Sequence, residues 1–197
     1  FKNQNAETKN INIITYWGML VNVLLSILKL IVGIIINSVA LIADGIHSFS
    51  DLITDITVII SAGAARKPPD DHHPYGHGKF ETIGTQLIGL ILIIVGAGIA
   101  RQALIDLYGH VESFPGPLVV IVALISVISK EILFQLTKRI AVKHNSTSLY
   151  ANAWHHRSDA LSSIAVLIGG VVSLFGFGHG DQIAGLVVGV MIIYVAV

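Results

Sequence analysis

Six long apolar runs constrain the fold of this chain more than any other feature of its sequence. They cover approximately residues 12–36, 39–65, 80–107, 115–141, 148–175 and 181–197. Each run is close to the roughly 20 residues that a helix needs to cross a bilayer. The runs are continuously apolar, whereas the strands of a membrane barrel alternate polar and apolar residues. We therefore predict an all-α membrane protein with six transmembrane helices embedded in a lipid bilayer.

The composition supports this class and excludes several others. Apolar residues make up 53% of the chain and charged residues only 12%, about half of the roughly 25% that is usual in soluble domains. The chain has no cysteine, which excludes disulfides, iron–sulfur clusters and thiolate metal sites. A net charge of zero excludes a general nucleic-acid-binding surface.

The basic residues predict the orientation of the helices. Eight of the 12 lie near the N-terminus or at the second and fourth breaks between the runs: Lys2, Lys9, Arg66, Lys67, Lys79, Lys138, Arg139 and Lys143. The first, third and fifth breaks contain no Lys or Arg, so the positive-inside rule predicts that both termini are cytoplasmic. The last run ends at Val197 without a polar flank. We interpret the chain as one six-helix domain, 1–197, without the C-terminal cytoplasmic domain that could follow it.

The second run carries a polar stripe along one helical face. Asp44, His47, Asp51 and Asp55 are spaced by three, four and four residues, which places them on the same side of a helix. Asp44 and Asp55 are interpreted as lining a helix contact or a water-filled crevice. His47 and Asp51 can instead hold one ion together, because an imidazole and a carboxylate four residues apart face the same way.

The fifth run repeats this pair as His155 and Asp159. Six identities recur 108 residues apart: Ser38, Leu41, Ala43, His47, Ser50 and Asp51 match Ser146, Leu149, Ala151, His155, Ser158 and Asp159. The two predicted helices cross the membrane in opposite directions. Helices one to three and four to six are therefore predicted to form inverted halves, with a substrate site between them near mid-membrane.

The chemistry of the repeated pair predicts a metal site. The two imidazoles and two carboxylates of His47, Asp51, His155 and Asp159 make a tetrahedral set suited to zinc, and two carboxylates match the charge of a divalent cation. Departure of the ion would leave two buried negative charges that attract protons. We therefore expect metal exit to be coupled to proton uptake, as in an antiporter.

The loop between the second and third runs holds a second candidate cation site. His73 and His77 are four residues apart with Asp70 before them; a solvated histidine-rich loop is the alternative. In the fourth run, Lys130 and Glu131 are expected to snorkel towards the interface or to pair with each other.

Two other function classes are compatible with polar residues inside the membrane. One is an intramembrane zinc hydrolase, which needs an open coordination position and a general base, and no His-Glu-x-x-His motif occurs in this sequence. The other is a structural membrane protein or a passive proton pathway. We predict that the chain is not an enzyme.

Three motifs, in this order, resemble the cation diffusion facilitator family of divalent-metal transporters: the run Ser38–Asp51, then Gly76-His77-Gly78-Lys79-Phe80-Glu81, then His155-His156-Arg157-Ser158-Asp159. The resemblance implies that the two His/Asp pairs form the transport site. It also implies a loop metal site at Asp70, His73 and His77, as in some bacterial members. A homodimer that exports metal from the cytoplasm against inward protons is the family's usual arrangement, with a cytoplasmic C-terminal domain.

The residue at position 47 bears on the metal. His47 resembles the zinc-preferring pattern of the family, whereas iron- and cadmium-transporting members often carry Asp there and manganese members tend towards all-carboxylate or Asn-containing sites. Zinc is therefore the predicted substrate, with Cd²⁺, Fe²⁺, Co²⁺ or Mn²⁺ as alternatives. We expect the protein in the inner (plasma) membrane of a bacterium or an archaeon.

Overall fold

Six α-helices make up the regular structure of the described residues. The computed structural model describes the backbone of residues 2–65, 79–143 and 145–196. The helices are α1 (Lys2–Ile35), α2 (Val39–Ala65), α3 (Lys79–Tyr108), α4 (Pro117–Lys143), α5 (Thr147–Leu174) and α6 (Gly180–Ala196). The all-α prediction is confirmed for these residues. Only α1 departs strongly from its apolar run, because the polar residues before the run continue the same helix.

Four of these helices contain segments long and apolar enough to cross a membrane. The segments are Ile13–Ile35, Gln86–Tyr108, Pro117–Lys143 and Leu149–Leu174. The apolar helix α6 is shorter, with 17 residues, and α2 is not among the four. The chain is therefore a membrane protein by the length and composition of its helices. The full set of six spans and the cytoplasmic termini stay predictions.

The same turn joins α1 to α2 and α4 to α5. Asn37 and Asn145 adopt left-handed backbone conformations, with φ of 54° and 48°, a region in which Asn is enriched. The serine after each, Ser38 or Ser146, accepts a hydrogen bond from the backbone N–H three residues later, at 3.1 and 3.3 Å. These bonds cap the following helices. The repeat therefore extends to backbone geometry, which supports the predicted relation between the two halves.

Small residues allow the helices to pack closely. A Cβ atom added to Gly169 of α5 would lie 2.6 Å from the carbonyl oxygen of Gly180 in α6. On the other side of α6, a Cβ atom on Gly189 would lie 3.1 Å from the carbonyl oxygen of Gly96 in α3. Such close approaches are a usual means of helix association in membranes. The buried apolar cluster draws mainly on α2, α4, α5 and α6: Ala40, Leu41, Ala43, Val119, Val122, Ala123, Val166, Ala184, Val188 and Ile192.

A buried ion pair connects α1, α2 and α5. The Lys29 Nζ atom lies 2.8 Å from Asp44 Oδ2, and both side chains are fully buried. Lys29 also donates hydrogen bonds to Ser48 and Ser163, each at 3.0 Å. Asp44 accepts hydrogen bonds from Ser162 and Ser163 at 2.6 and 2.9 Å. Of the two interpretations of Asp44, the structure therefore favours a helix contact.

Candidate metal centre

The capping serines set the position of the candidate ligands along their helices. In both α2 and α5, the His and the Asp follow the capping serine by nine and 13 residues. At 1.5 Å per residue, these offsets correspond to about 14 and 20 Å along the helix axis. The two pairs therefore lie equally far from two equivalent helix starts.

Three of the four predicted transport ligands form one group. Ligand atoms of His47, Asp51 and Asp159 all lie within 4.8 Å of one another. Two come from α2 and one from α5, so the group joins the two halves of the repeat. One nitrogen and two carboxylate oxygens can converge on a single cation placed between them, with the ligand types that zinc accepts.

The group is largely shielded from the surface. His47 and Asp159 are 5% and 4% exposed, and Asp51 is half-buried. The Oδ2 atom of Asp51 is itself buried and has no hydrogen-bond partner within the part of the chain that the structure describes. A buried carboxylate oxygen without a partner is costly. This atom therefore marks the group as a site that can gain energy by binding a cation.

His155, the fourth predicted ligand, lies at the edge of the group. Its Nδ1 atom is 3.6 Å from Asp159 Oδ1, and its side chain is 44% exposed. It contacts Asp159 but is not one of the three residues whose ligand atoms are mutually close. The complete set of two histidines and two aspartates therefore stays a prediction.

Lys130 lies beside the candidate site, next to Asp159, contrary to the expectation from the sequence. It neither snorkels nor pairs with Glu131: its side chain is 1% exposed, and its Nζ atom lies 2.8 Å from Asp159 Oδ2. Glu131 accepts a hydrogen bond from Gln135 instead, at 2.8 Å. The expectation for Lys130 was wrong because α4 packs against α5 along its length and turns this residue towards Asp159. A lysine within an apolar run was the signal that could have marked Lys130.

His156 and Arg157, the two residues after His155, contribute to the packing of the helices. His156 is 4% exposed and lies against α1, where a Cβ atom on Gly18 would be 3.3 Å from its Nε2 atom. Arg157 stacks on the rings of Phe134 and Trp154, at 4.8 and 5.4 Å from their centroids. A cation above an aromatic face is attracted by the ring, so Arg157 stabilises the contact between α4 and α5.

The second candidate site lies outside the described residues. Asp70, His73 and His77 fall between the end of α2 and the start of α3, and the side chain of Asp55 is likewise not described. The loop metal site therefore stays a prediction from the sequence.

Comparisons with known proteins confirm the family suggested by the motifs. The family model of the cation efflux transmembrane domain matches residues 16–197. An uncharacterized transporter of Methanocaldococcus jannaschii is 44% identical, with 89% of this chain and 62% of the relative covered. Metal tolerance protein C1 of Arabidopsis thaliana is 40% identical, with 89% and 41% covered.

A third relative is the manganese efflux system protein MneP of Bacillus subtilis, 35% identical, with 89% of this chain and 61% of the relative covered. The chain thus spans about two-fifths to three-fifths of the length of these relatives. Because the family match extends over nearly all of its residues, the chain belongs to the cation efflux family, the cation diffusion facilitators.

Proposed function

We propose that this chain is the membrane domain of a transporter that exports divalent metal, with zinc as its substrate. The observation that carries the proposal is the meeting of His47, Asp51 and Asp159 within 4.8 Å. A cation bound there would give the buried Asp51 Oδ2 atom the partner that it lacks among the described residues. Imidazole and carboxylate ligands together suit zinc, a borderline ion. We expect His155, whose Nδ1 atom lies 3.6 Å from Asp159 Oδ1, to complete a tetrahedral set.

Exchange for protons is the second part of the proposal. An empty site holds the carboxylates of Asp51 and Asp159 close together, and like charges in a poorly hydrated place attract protons. Metal entry would displace those protons, because ligands bind metal in their deprotonated forms. The direction, zinc out of the cytoplasm and protons in, follows the family's usual arrangement and is part of the same proposal.

Three further features belong to the proposal as expectations. The protein would act as a homodimer in a bacterial or archaeal inner membrane, without catalytic activity. Asp70, His73 and His77 would bind a second ion in the loop after α2. The names of the relatives support metal efflux in general, since one is a manganese efflux protein and another a metal tolerance protein. They do not select among metals, so the preference for zinc depends on His47.

Metal flux into proteoliposomes tests the function directly. We expect zinc to accumulate in vesicles containing the protein when a pH gradient, acidic inside, is imposed, and we expect a protonophore to abolish that accumulation. Vesicles without protein are the control, and Cd²⁺, Fe²⁺, Co²⁺ and Mn²⁺ are measured in parallel. Absence of protein-dependent flux for every metal would contradict the transporter. Flux that ignores the pH gradient would contradict proton exchange alone.

The variant His47→Asp tests the choice of metal. Replacing the imidazole with a carboxylate makes the ligand set harder, which favours ions that prefer oxygen. We expect uptake of Mn²⁺ or Fe²⁺ relative to zinc to rise by about tenfold, measured by competition in the flux assay with Cd²⁺ included as the softer ion. The control is His179→Asp, the same replacement in the turn before α6. An unchanged ranking of the metals would show that His47 does not determine selectivity.

A further inference from the structure

Lys130 places an ammonium group beside the candidate transport site. Its ammonium lies 2.8 Å from Asp159 Oδ2, and only 1% of the side chain is exposed. Asp159 is one of the three residues whose ligand atoms converge. The oxygen that accepts the hydrogen bond from Lys130 therefore belongs to a residue that would bind the substrate.

The charges of the site indicate that the contact between Lys130 and Asp159 affects the binding of a metal ion. Metal binds to the deprotonated carboxylates. In that form Asp51 and Asp159 contribute two negative charges and Lys130 one positive charge, so the group carries a net charge of about −1 before the ion enters. A divalent ion added with Lys130 in place would leave a net charge of +1 in a poorly hydrated place, which is unfavourable. Without Lys130, the same ion would neutralise the two carboxylates. The lysine and the metal therefore compete for the same negative charge.

The other buried lysine shows what a purely structural pair looks like in this protein. Lys29 donates to two serines in addition to its contact with Asp44, and Asp44 accepts from two serines. Lys130, in contrast, has Asp159 as its single hydrogen-bond partner among the described residues. A lysine with one partner, on a long flexible stem, can leave that partner more easily than one held by three.

We propose that Lys130 is a tethered counter-cation that occupies Asp159 when the site is empty and is displaced by the substrate ion. This inference rests on the proposed function. Competition by Lys130 weakens metal binding and so speeds release on the far side of the membrane. It also reduces the charge of the empty site, which lowers the cost of keeping that site buried while the helices rearrange. Lys130 is thus a positioning residue that sets affinity and does not itself bind the metal.

Removing the charge of Lys130 gives the decisive test. We expect Lys130→Met and Lys130→Gln to bind zinc on the order of tenfold more tightly than the unchanged protein, measured by calorimetry on purified protein in detergent. We expect the maximal rate of zinc flux in proteoliposomes to fall in the same variants, because release becomes slower. Glutamine retains a hydrogen-bond donor for Asp159, so this variant removes the charge with the least disturbance of packing.

The matched control is Lys138→Met, which removes a lysine from the same helix two turns later. Lys138 lies over the Phe134 ring at 5.3 Å from its centroid, and its replacement is expected to leave zinc affinity unchanged. A lysine that only stabilised the fold would give weaker binding when removed. Unchanged or weaker zinc binding by folded Lys130→Gln would therefore overturn the inference.

A parallel measurement on Asp51→Asn keeps this inference distinguishable from the proposed function. If Asp51→Asn loses zinc binding while Lys130→Gln binds as the unchanged protein does, the transport site stands and the role of Lys130 is wrong. If Asp51→Asn binds zinc normally, the site itself is wrong and the inference falls with it.

Discussion

Asp51→Asn is expected to abolish metal transport while leaving the protein folded. The substitution removes one of the two carboxylates of the candidate site, and we expect zinc affinity to fall on the order of 100-fold or more. The buried Oδ2 atom of Asp51 has no hydrogen-bond partner to lose among the described residues. Loss of a buried charge also removes a desolvation cost. Thermal unfolding in detergent should therefore show an unchanged or slightly higher midpoint, together with loss of zinc flux.

The matched control for this prediction is Asp106→Asn. It makes the same change in α3, where Asp106 accepts a hydrogen bond from Gln102 at 2.9 Å and lies outside the candidate site. Transport by this variant should equal that of the unchanged protein. Undiminished zinc flux in Asp51→Asn would contradict the site.

Substitution of Asp159 is a less specific test of the site than substitution of Asp51, although the two aspartates occupy equivalent positions in the repeat. Asp159→Ala would leave the buried ammonium of Lys130 without its partner, and an unpaired buried charge costs about 3–5 kcal/mol. A loss of transport in that variant could therefore reflect a loss of fold. Asp51 is the better choice because its buried Oδ2 atom has no hydrogen-bond partner among the residues that the structure describes.

Lys29→Met is expected to cause the largest loss of stability among the single variants proposed for this protein. The substitution leaves Asp44 fully buried with its serine donors but without the opposite charge that lies 2.8 Å away. Breaking a buried ion pair from one side typically costs about 3–5 kcal/mol. We expect a marked fall in the thermal unfolding midpoint in detergent, which is the measurement that checks this prediction.

The double variant Lys29→Met with Asp44→Asn is the companion experiment. It removes both charges, so most of the lost stability should return even though the ion pair is absent. Lys143→Met, at the exposed end of α4, is the control for loss of a lysine as such. A midpoint in Lys29→Met equal to that of this control would show that the pair with Asp44 is not important for stability.

Much of the local structure was predictable because it depends on neighbours in the chain. The apolar runs predicted the helices, since a helix satisfies its own backbone hydrogen bonds wherever water is scarce. The runs predicted to begin at residues 39 and 148 lie within one residue of the starts of α2 and α5, where Ser38 and Ser146 cap the helices. Spacing by four residues placed His47 and Asp51 on one helical face, and the structure has both in one group with Asp159.

The positions of His155 and Lys130 could not be predicted in this way. The repeat makes His155 equivalent to His47, yet His47 is buried and the His155 side chain is 44% exposed. Lys130 was expected to snorkel towards the interface or to pair with Glu131, but it is buried against Asp159. Both outcomes depend on how far α4 and α5 are rotated and shifted against the other helices. Hydropathy contains no information about that register.

The sequence by itself therefore determined the class of protein and the approximate positions of the helices, and it predicted which residues would form a metal site. All of these follow from interactions within one helix or from the cost of exposing polar groups to lipid. Only the tertiary structure decided which charges meet: Lys29 with Asp44, and Lys130 with Asp159. The physical reason is that a buried charge takes whichever partner helix packing brings within hydrogen-bond distance. Here that distance is decided by contacts between helices, not by separation along the chain.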